Sequence, residues 1–174
     1  MEYIYVGKIV NTHGIKGEIR ILSDFKYKNE IFKENFKLYI GTQKQEMIIK
    51  NYRKHKMYDM VLFYDINDIN EVLKYKGQSV YINKDDIKVD GYFFEDLINL
   101  EVYSNDKLIG NVTDIVTSKA HEILVIEKNK KKILIPNIKP FIEKTDLENK
   151  KIYINEIENV ISMMIVQGIM HKPS

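Results

Sequence analysis

The chain has 174 residues, of which 44% are hydrophobic and 30% charged, yet its formal net charge is only +2. Such a length builds one large domain or two small ones around a real core, and so even a charge balance gives no argument for nucleic acid by itself. The absence of cysteine excludes disulfides, thiolate metal sites and a Cys nucleophile, and the four histidines, His13, His55, His121 and His171, contain no i, i+4 pair suited to a His-rich metal centre.

No basic stretch followed by an apolar one opens the chain, and no apolar run approaches the ~18 residues that span a bilayer. The expectation is a soluble, cytoplasmic protein with no membrane partner, no metal and no cofactor. Ala120 is the only alanine, and the abundance of β-branched and aromatic residues favours strands over helices.

Residues 3–11 read as a strand in which Gly7 marks a bulge or a close backbone approach. Thr12-His13-Gly14-Ile15-Lys16-Gly17 follows, with two glycines three apart just before the alternating strand 18–22. The spacing predicts a tight connection with positive φ at one or both glycines. As a phosphate cradle it lacks the helix that would normally follow, and His13 has no general-base partner implied by spacing. It is either a turn with an exposed His and Lys or a phosphate or partner contact.

Residues 24–36 read as a polar loop with a helical turn around 29–33, and strands are expected at 37–40, 46–53 and 59–63. Between the last two lies Lys50-Asn51-Tyr52-Arg53-Lys54-His55-Lys56, the densest basic patch in the chain. Cations with an interleaved ring suit an RNA-contacting hairpin, although hairpin tips are also basic for solubility alone. Residues 67–77 predict a short helix capped by Asn or Asp, with Ile69, Val72 and Leu73 on one face and Gly77 at its end. A closing strand is expected over 79–82, and 83–91 holds the linker candidate.

Tyr92-Phe93-Phe94-Glu95-Asp96 then places three aromatics in a row. In an extended segment successive side chains point to opposite faces, so at least one ring should lie at the surface. The rings either form a partner-binding site or pack where the two halves meet. Strands are expected at 100–103, 108–117, 121–127, 132–135 and 151–154, with hairpin turns at 104–107 and 128–131 and a further extended piece over 138–144. Five or six short strands in so short a span suggest a small barrel. The apolar tail from Asn159 to Met170 reads as a helix or a segment packed on that barrel, and its methionines make it adaptable.

Val6-Gly7-Lys8-Ile9-Val10-Asn11-Thr12-His13-Gly14-Ile15-Lys16-Gly17-Glu18-Ile19-Arg20-Ile21 closely resembles the opening signature of the bacterial ribosome maturation factor RimM family. The segments Asp68–Gly77, Val80-Tyr81-Ile82, Tyr92–Val102, Gly110–Ile115, Leu134-Ile135-Pro136 and the Asp-Leu-Glu-Asn-Lys turn at 146–150 resemble that family in the same order. The resemblance covers roughly residues 3–155. It departs at Phe93, where the family usually carries a second tyrosine, and at Lys119-Ala120-His121-Glu122.

What the resemblance implies is a mainly β fold of two small β-barrels in tandem. The first is a six-stranded translation-factor-like barrel (1–84), followed by a linker (85–91), a PRC barrel (92–155) and a tail (156–174). It also implies an assembly factor rather than an enzyme. Its partners would be the 30S subunit precursor with its 16S rRNA, and a small-subunit ribosomal protein of the S-nineteen type in the subunit head. On this reading Tyr92, Phe93 and Phe94 anchor the ribosomal protein and Glu95 and Asp96 attract it. His13, Gly14, Lys16, Gly17, Arg53, Lys54 and Lys56 contact rRNA, and the protein works as a monomer. The competing expectations are a stand-alone RNA-binding barrel, or a hydrolase that pairs His13 or His121 with Asp24, Asp114 or Glu122.

Overall fold

In the computed structural model the described residues are 1–156. The expectation for the apolar tail falls outside them. The chain divides into two compact units, Met1–Asp90 and the part from Gly91 onward.

The first unit is a closed barrel. Strands β1 (Tyr3–His13), β2 (Glu18–Leu22), β3 (Lys37–Ile40), β4 (Gln45–His55), β5 (Tyr58–Phe63) and β6 (Ser79–Asn83) run in the order β1-β2-β5-β4-β3-β6, and β6 returns to pair with β1. Alternation drives closure: Ile19 and Ile21 of β2, Ile4 and Val6 of β1, and Val80 and Ile82 of β6 are all buried, so one face of every strand is withdrawn from water. A register shift lies between Tyr5 and Gly7. A Cβ on Gly7 would stand 2.7 Å from the Leu22 carbonyl oxygen, so this glycine is both a bulge and a close approach. A single turn, α1 (Lys28–Ile31), interrupts the loop after β2.

The helix expected over 67–77 is instead two 3₁₀ turns, Ile69–Glu71 and Leu73–Tyr75. Asp68 caps the first, its carboxylate accepting from the Asn70 N–H at 2.6 Å. With three residues per turn, positions i and i+3 share a face. Val72 and Tyr75 are therefore buried, whereas Leu73 is 50% exposed, contrary to the face predicted from α-helical spacing.

The second unit begins with one helical turn, α2 (Phe94–Leu97), so the aromatic run stays extended at Phe93 and turns helical from Phe94. Strands β7 (Glu101–Ser104), β8 (Lys107–Thr117), β9 (Glu122–Lys128), β10 (Lys131–Pro136), β11 (Ile142–Asp146) and β12 (Lys151–Ile154) form a sheet ordered β10-β9-β8-β7-β12-β11. The β12–β7 pair is parallel, unlike its neighbours. All six strands wrap one core that includes Val102, Val112, Leu124, Ile126, Ile152 and Phe141.

Both predicted hairpins close on two residues with positive φ, Asn105 and Asp106 in one and Asn129 and Lys130 in the other. That is the backbone a right-handed strand twist prefers. The extended piece expected over 138–144 begins only at Ile142. Before it the chain turns, the Ile138 carbonyl accepting from Phe141 N–H at 3.0 Å and Ile142 N–H at 2.9 Å.

Candidate functional site

Two regions gather the residues singled out by sequence, one in each unit.

In the second unit Phe93 is only 7% exposed, while Tyr92 and Phe94 are half-buried and Glu95 is exposed. Phe93 is thus no exposed anchor. The reason is local: its backbone N–H donates to the Asp96 carboxylate at 2.9 Å, and its carbonyl accepts from the Asp96 N–H at 3.0 Å. These bonds cap α2 and commit the Asp96 carboxylate to holding the turn.

Tyr92 is held from the other side. Its hydroxyl accepts a short hydrogen bond from the Asn137 amide, which also donates to the Glu122 carboxylate at 3.3 Å. The Asn137 backbone N–H in turn donates to the Glu122 carbonyl at 2.8 Å. The start of β9, the residue after Pro136 and the residue before Phe93 are thereby tied into one polar cluster beside the core. Nothing in the residue pattern singles out Asn137. A lone Asn after a strand-ending Pro looks like any turn residue.

In the first unit the 12–17 loop and the β4–β5 hairpin belong to one neighbourhood. Gly17 adopts φ +91, and a Cβ there would lie 2.6 Å from the Ile66 side chain and 3.0 Å from the Asp68 carbonyl. The Ile15 carbonyl accepts from Ile69 N–H at 3.0 Å. The loop is therefore clamped on the segment before the 3₁₀ turns, and His13, Gly14 and Lys16 are left exposed. Arg20 on β2 reaches His13 Nδ1 at 2.8 Å. A guanidinium only donates, so Nδ1 is the acceptor in this contact. Arg20 also lies 5.7 Å from the Tyr58 ring at the hairpin's far strand, and its Nε is buried without a hydrogen-bond partner.

The basic hairpin is less free than its composition suggests. Arg53 grips Glu18 with two hydrogen bonds, 3.0 and 2.6 Å, and that contact raises the Arg53 pKa. Lys54 lies 3.5 Å from Asp59, while Lys56 is exposed at the turn with φ +54. Arg53 and Lys54 are thus ion-paired within the barrel, contrary to the picture of a bare phosphate-facing row.

Asp59 itself is fully buried. It accepts from Lys28 at 2.8 Å and from the Tyr52 hydroxyl at 2.7 Å. Burial first, and then this hydrogen bond, push the Tyr52 pKa well above its usual value. Tyr52 also stacks on Phe32, with centroids 5.9 Å apart and planes 16° apart. Neither Asp59 nor Arg20 stood out in the sequence, because charged residues inside or beside strands normally face water.

Chemically, these regions offer cations, rings and capped carboxylates. Among the described residues no group of three His, Asp or Glu side chains could hold a metal ion, and no helix is long and apolar enough to cross a membrane.

Two family models match the chain: the RimM N-terminal domain over residues 4–87 and the RimM PRC barrel domain over residues 94–158. The ribosome maturation factor RimM of Finegoldia magna is 39% identical over 174 residues, covering 97% of this chain and all of that protein. RimM of Streptococcus pneumoniae strain Hungary19A-6 is 34% identical over 168 residues, covering 92% and 98%. Among solved structures, the N-terminal domain of RimM from Thermus thermophilus covers 51% of this chain and 98% of that one at 16% identity, with a TM-score of 0.44.

Proposed function

The chain belongs to the RimM family of ribosome maturation factors, and from that membership we propose that it assists 16S rRNA maturation by binding the head of the immature 30S subunit. The carrying observation is that family similarity spans both units and nearly the full length of its relatives.

The protein acts as a cytoplasmic monomer and catalyses no reaction. It holds an immature head conformation more tightly than the mature one, because only such a differential affinity can bias folding and then permit release. The second unit docks a small-subunit ribosomal protein of the S-nineteen type through the half-buried Tyr92 and Phe94 rings, with Glu95 and Glu122 drawing in its cationic surface. Rings buried by a partner supply affinity, and rim charges supply steering. Phe93 and Asp96 frame that surface. Their burial and capping bonds support this division of labour. The first unit faces rRNA with His13, Lys16 and Lys56 on a loop shaped by Gly14 and Gly17. Arg20 is added behind His13, and Arg53 and Lys54 contribute mainly through the barrel ion pairs that brace the hairpin.

Co-sedimentation with precursor and mature small subunits at matched salt tests the reading. Preferential binding to the precursor, competed by the free ribosomal protein, is expected. Tyr92→Ala should weaken that binding by about 2 kcal/mol without unfolding the protein. Equal binding to both subunits would overturn it. A steep salt dependence with no competition by the ribosomal protein would favour a bare RNA-binding barrel.

A further inference from the structure

One face of the first barrel carries a row of tyrosines that takes no part in the contacts assigned so far. Tyr5 on β1 is paired across the sheet with Tyr81 on β6, and Tyr81 is paired in turn with Tyr39 on β3. Three tyrosines thus stand side by side on adjacent strands, and Tyr3 packs edge-on against Tyr39 at 5.1 Å. Tyr5 meets Tyr81 in a T-shaped contact at 6.0 Å and is itself 51% exposed, while Tyr39 at the other end is buried. The Lys44 ammonium lies 3.9 Å from the Tyr81 centroid and 5.5 Å from that of Tyr3. Its hydrogen bond to the Gly41 carbonyl is a long one, 3.4 Å.

We propose that the Tyr5–Tyr81 row with Lys44 is a stacking platform for unpaired RNA bases. The inference rests on the assembly-factor reading only for which RNA supplies the bases. Aromatic rings set across neighbouring strands accept the π-face of any base, and a nearby cation tracks the backbone phosphates. The charges favour this occupant over an apolar protein surface. Glu46 is taken up by Lys37 at 3.1 Å and Glu2 by Lys84 at 3.6 Å, and Asp86 acts on Tyr39 and Lys37, at the buried end of the row. Lys44 and the exposed Lys8, which lies past Tyr5 on β1, are left to face a polyanion. Lys44 rests on the ring and moves to a phosphate when a base takes its place. The strand runs along the Lys44–Tyr81–Tyr5–Lys8 side, away from the Lys37–Glu46 corner.

The test is fluorescence anisotropy of the full-length protein with a labelled, unstructured RNA of about twelve nucleotides. Tyr5→Ala should weaken binding roughly ten-fold, and Tyr5→Phe should leave it unchanged. Lys44→Gln should weaken it and flatten the dependence of log K on log salt by about one contact's worth. If Tyr5→Ala lowers the melting temperature markedly, Tyr5→Leu decides: it keeps an apolar side chain against Tyr81 but loses the π-face. The platform is overturned if the parent does not bind the RNA, or if Tyr5→Leu and Lys44→Gln bind as the parent does. It is also overturned if these variants lose only precursor-subunit binding, since that would mark a protein-docking face. Tyr92→Ala should leave oligonucleotide binding unaltered, so failure here and failure of the ribosomal-protein contact are read in separate arms.

Discussion

The two units handle polar groups in opposite ways. The first closes its sheet and admits a carboxylate to full burial, Asp59, held by Lys28, Lys54 and Tyr52. Among its described residues the second buries no charged side chain, only the Ser104 hydroxyl, and ties its polar cluster, Tyr92, Asn137 and Glu122, beside its hydrophobic core. A closed barrel offers no unpaired strand, so what it presents to partners must be a face or a hairpin tip. The second sheet ends in two strands, β10 and β11, and β10 carries exposed Lys131 and Lys132 and ends in Pro136. Charges and proline at such an edge discourage pairing with another chain.

The largest expected effect falls on Phe93. Phe93→Ala should cost about 3–4 kcal/mol of stability, the usual penalty for emptying a buried aromatic site, measured by urea unfolding. Unchanged stability with weakened precursor binding would instead make the ring a contact surface.

Next comes Asp59. Asp59→Asn should cost about 2–3 kcal/mol, because the Tyr52 hydroxyl and two ammonium groups lose a buried anion. Hydrogen exchange should show the loss in residues 1–90 with the second sheet unaffected. A loss spread evenly over both units would break the comparison. The same variant should let Tyr52 ionise earlier on alkaline titration. Because the Tyr52 pKa is raised above 10.0 in the fold, its contribution to stability is complete below pH 10.0 and fades as pH rises toward the folded value.

Gly110 tests the second unit alone. It adopts φ +154, and a Cβ there would stand 2.5 Å from the Glu127 carbonyl oxygen across the β8–β9 pair. Gly110→Ala should therefore cost about 1–3 kcal/mol, seen as faster exchange in β8 and β9 with the barrel unchanged.

The smallest effect is acidic. Hydrogen bonds from Asn149, and then the nearby Lys144, hold Asp146 below its ordinary 3.8. Its contribution is present above pH 3.8 and is lost as pH falls through the folded value. Asp146→Asn should remove that acid sensitivity from the second unit. An acid limb identical to the parent's would show that the turn contributes nothing.

Much of this architecture could be read from residue order. Alternation in 18–22 and the closing strand expected over 79–82 predicted elements that the structure reproduces to within a residue. The turns at 104–107 and 128–131 predicted two hairpins, and the structure closes both, with Asn105, Asp106, Asn129 and Lys130 at positive φ. A pattern of two small strand-rich units with the RimM signatures was enough to place the family. These signals are local, each carried by residues a few positions apart, and so one chain suffices to show them.

What the sequence withheld is in part a choice of local backbone and in part the meeting of residues far apart in the chain. The period of the 69–75 segment became three rather than 3.6, so Leu73 turned outward and Tyr75 inward. Phe93 proved buried at the cap of α2, where its backbone is bonded to Asp96, and Arg53 and Lys54 proved occupied because Glu18 and Asp59 arrive from other strands. The tyrosine row exists only because β1 and β3 flank β6. The sequence by itself determined which segments become strands and where they turn. Only the tertiary structure decided which charges are cancelled, which rings are hidden and which stand together. Pairing brings those groups to within a few ångströms, where Coulomb attraction and desolvation act, and no spacing along the chain encodes that distance.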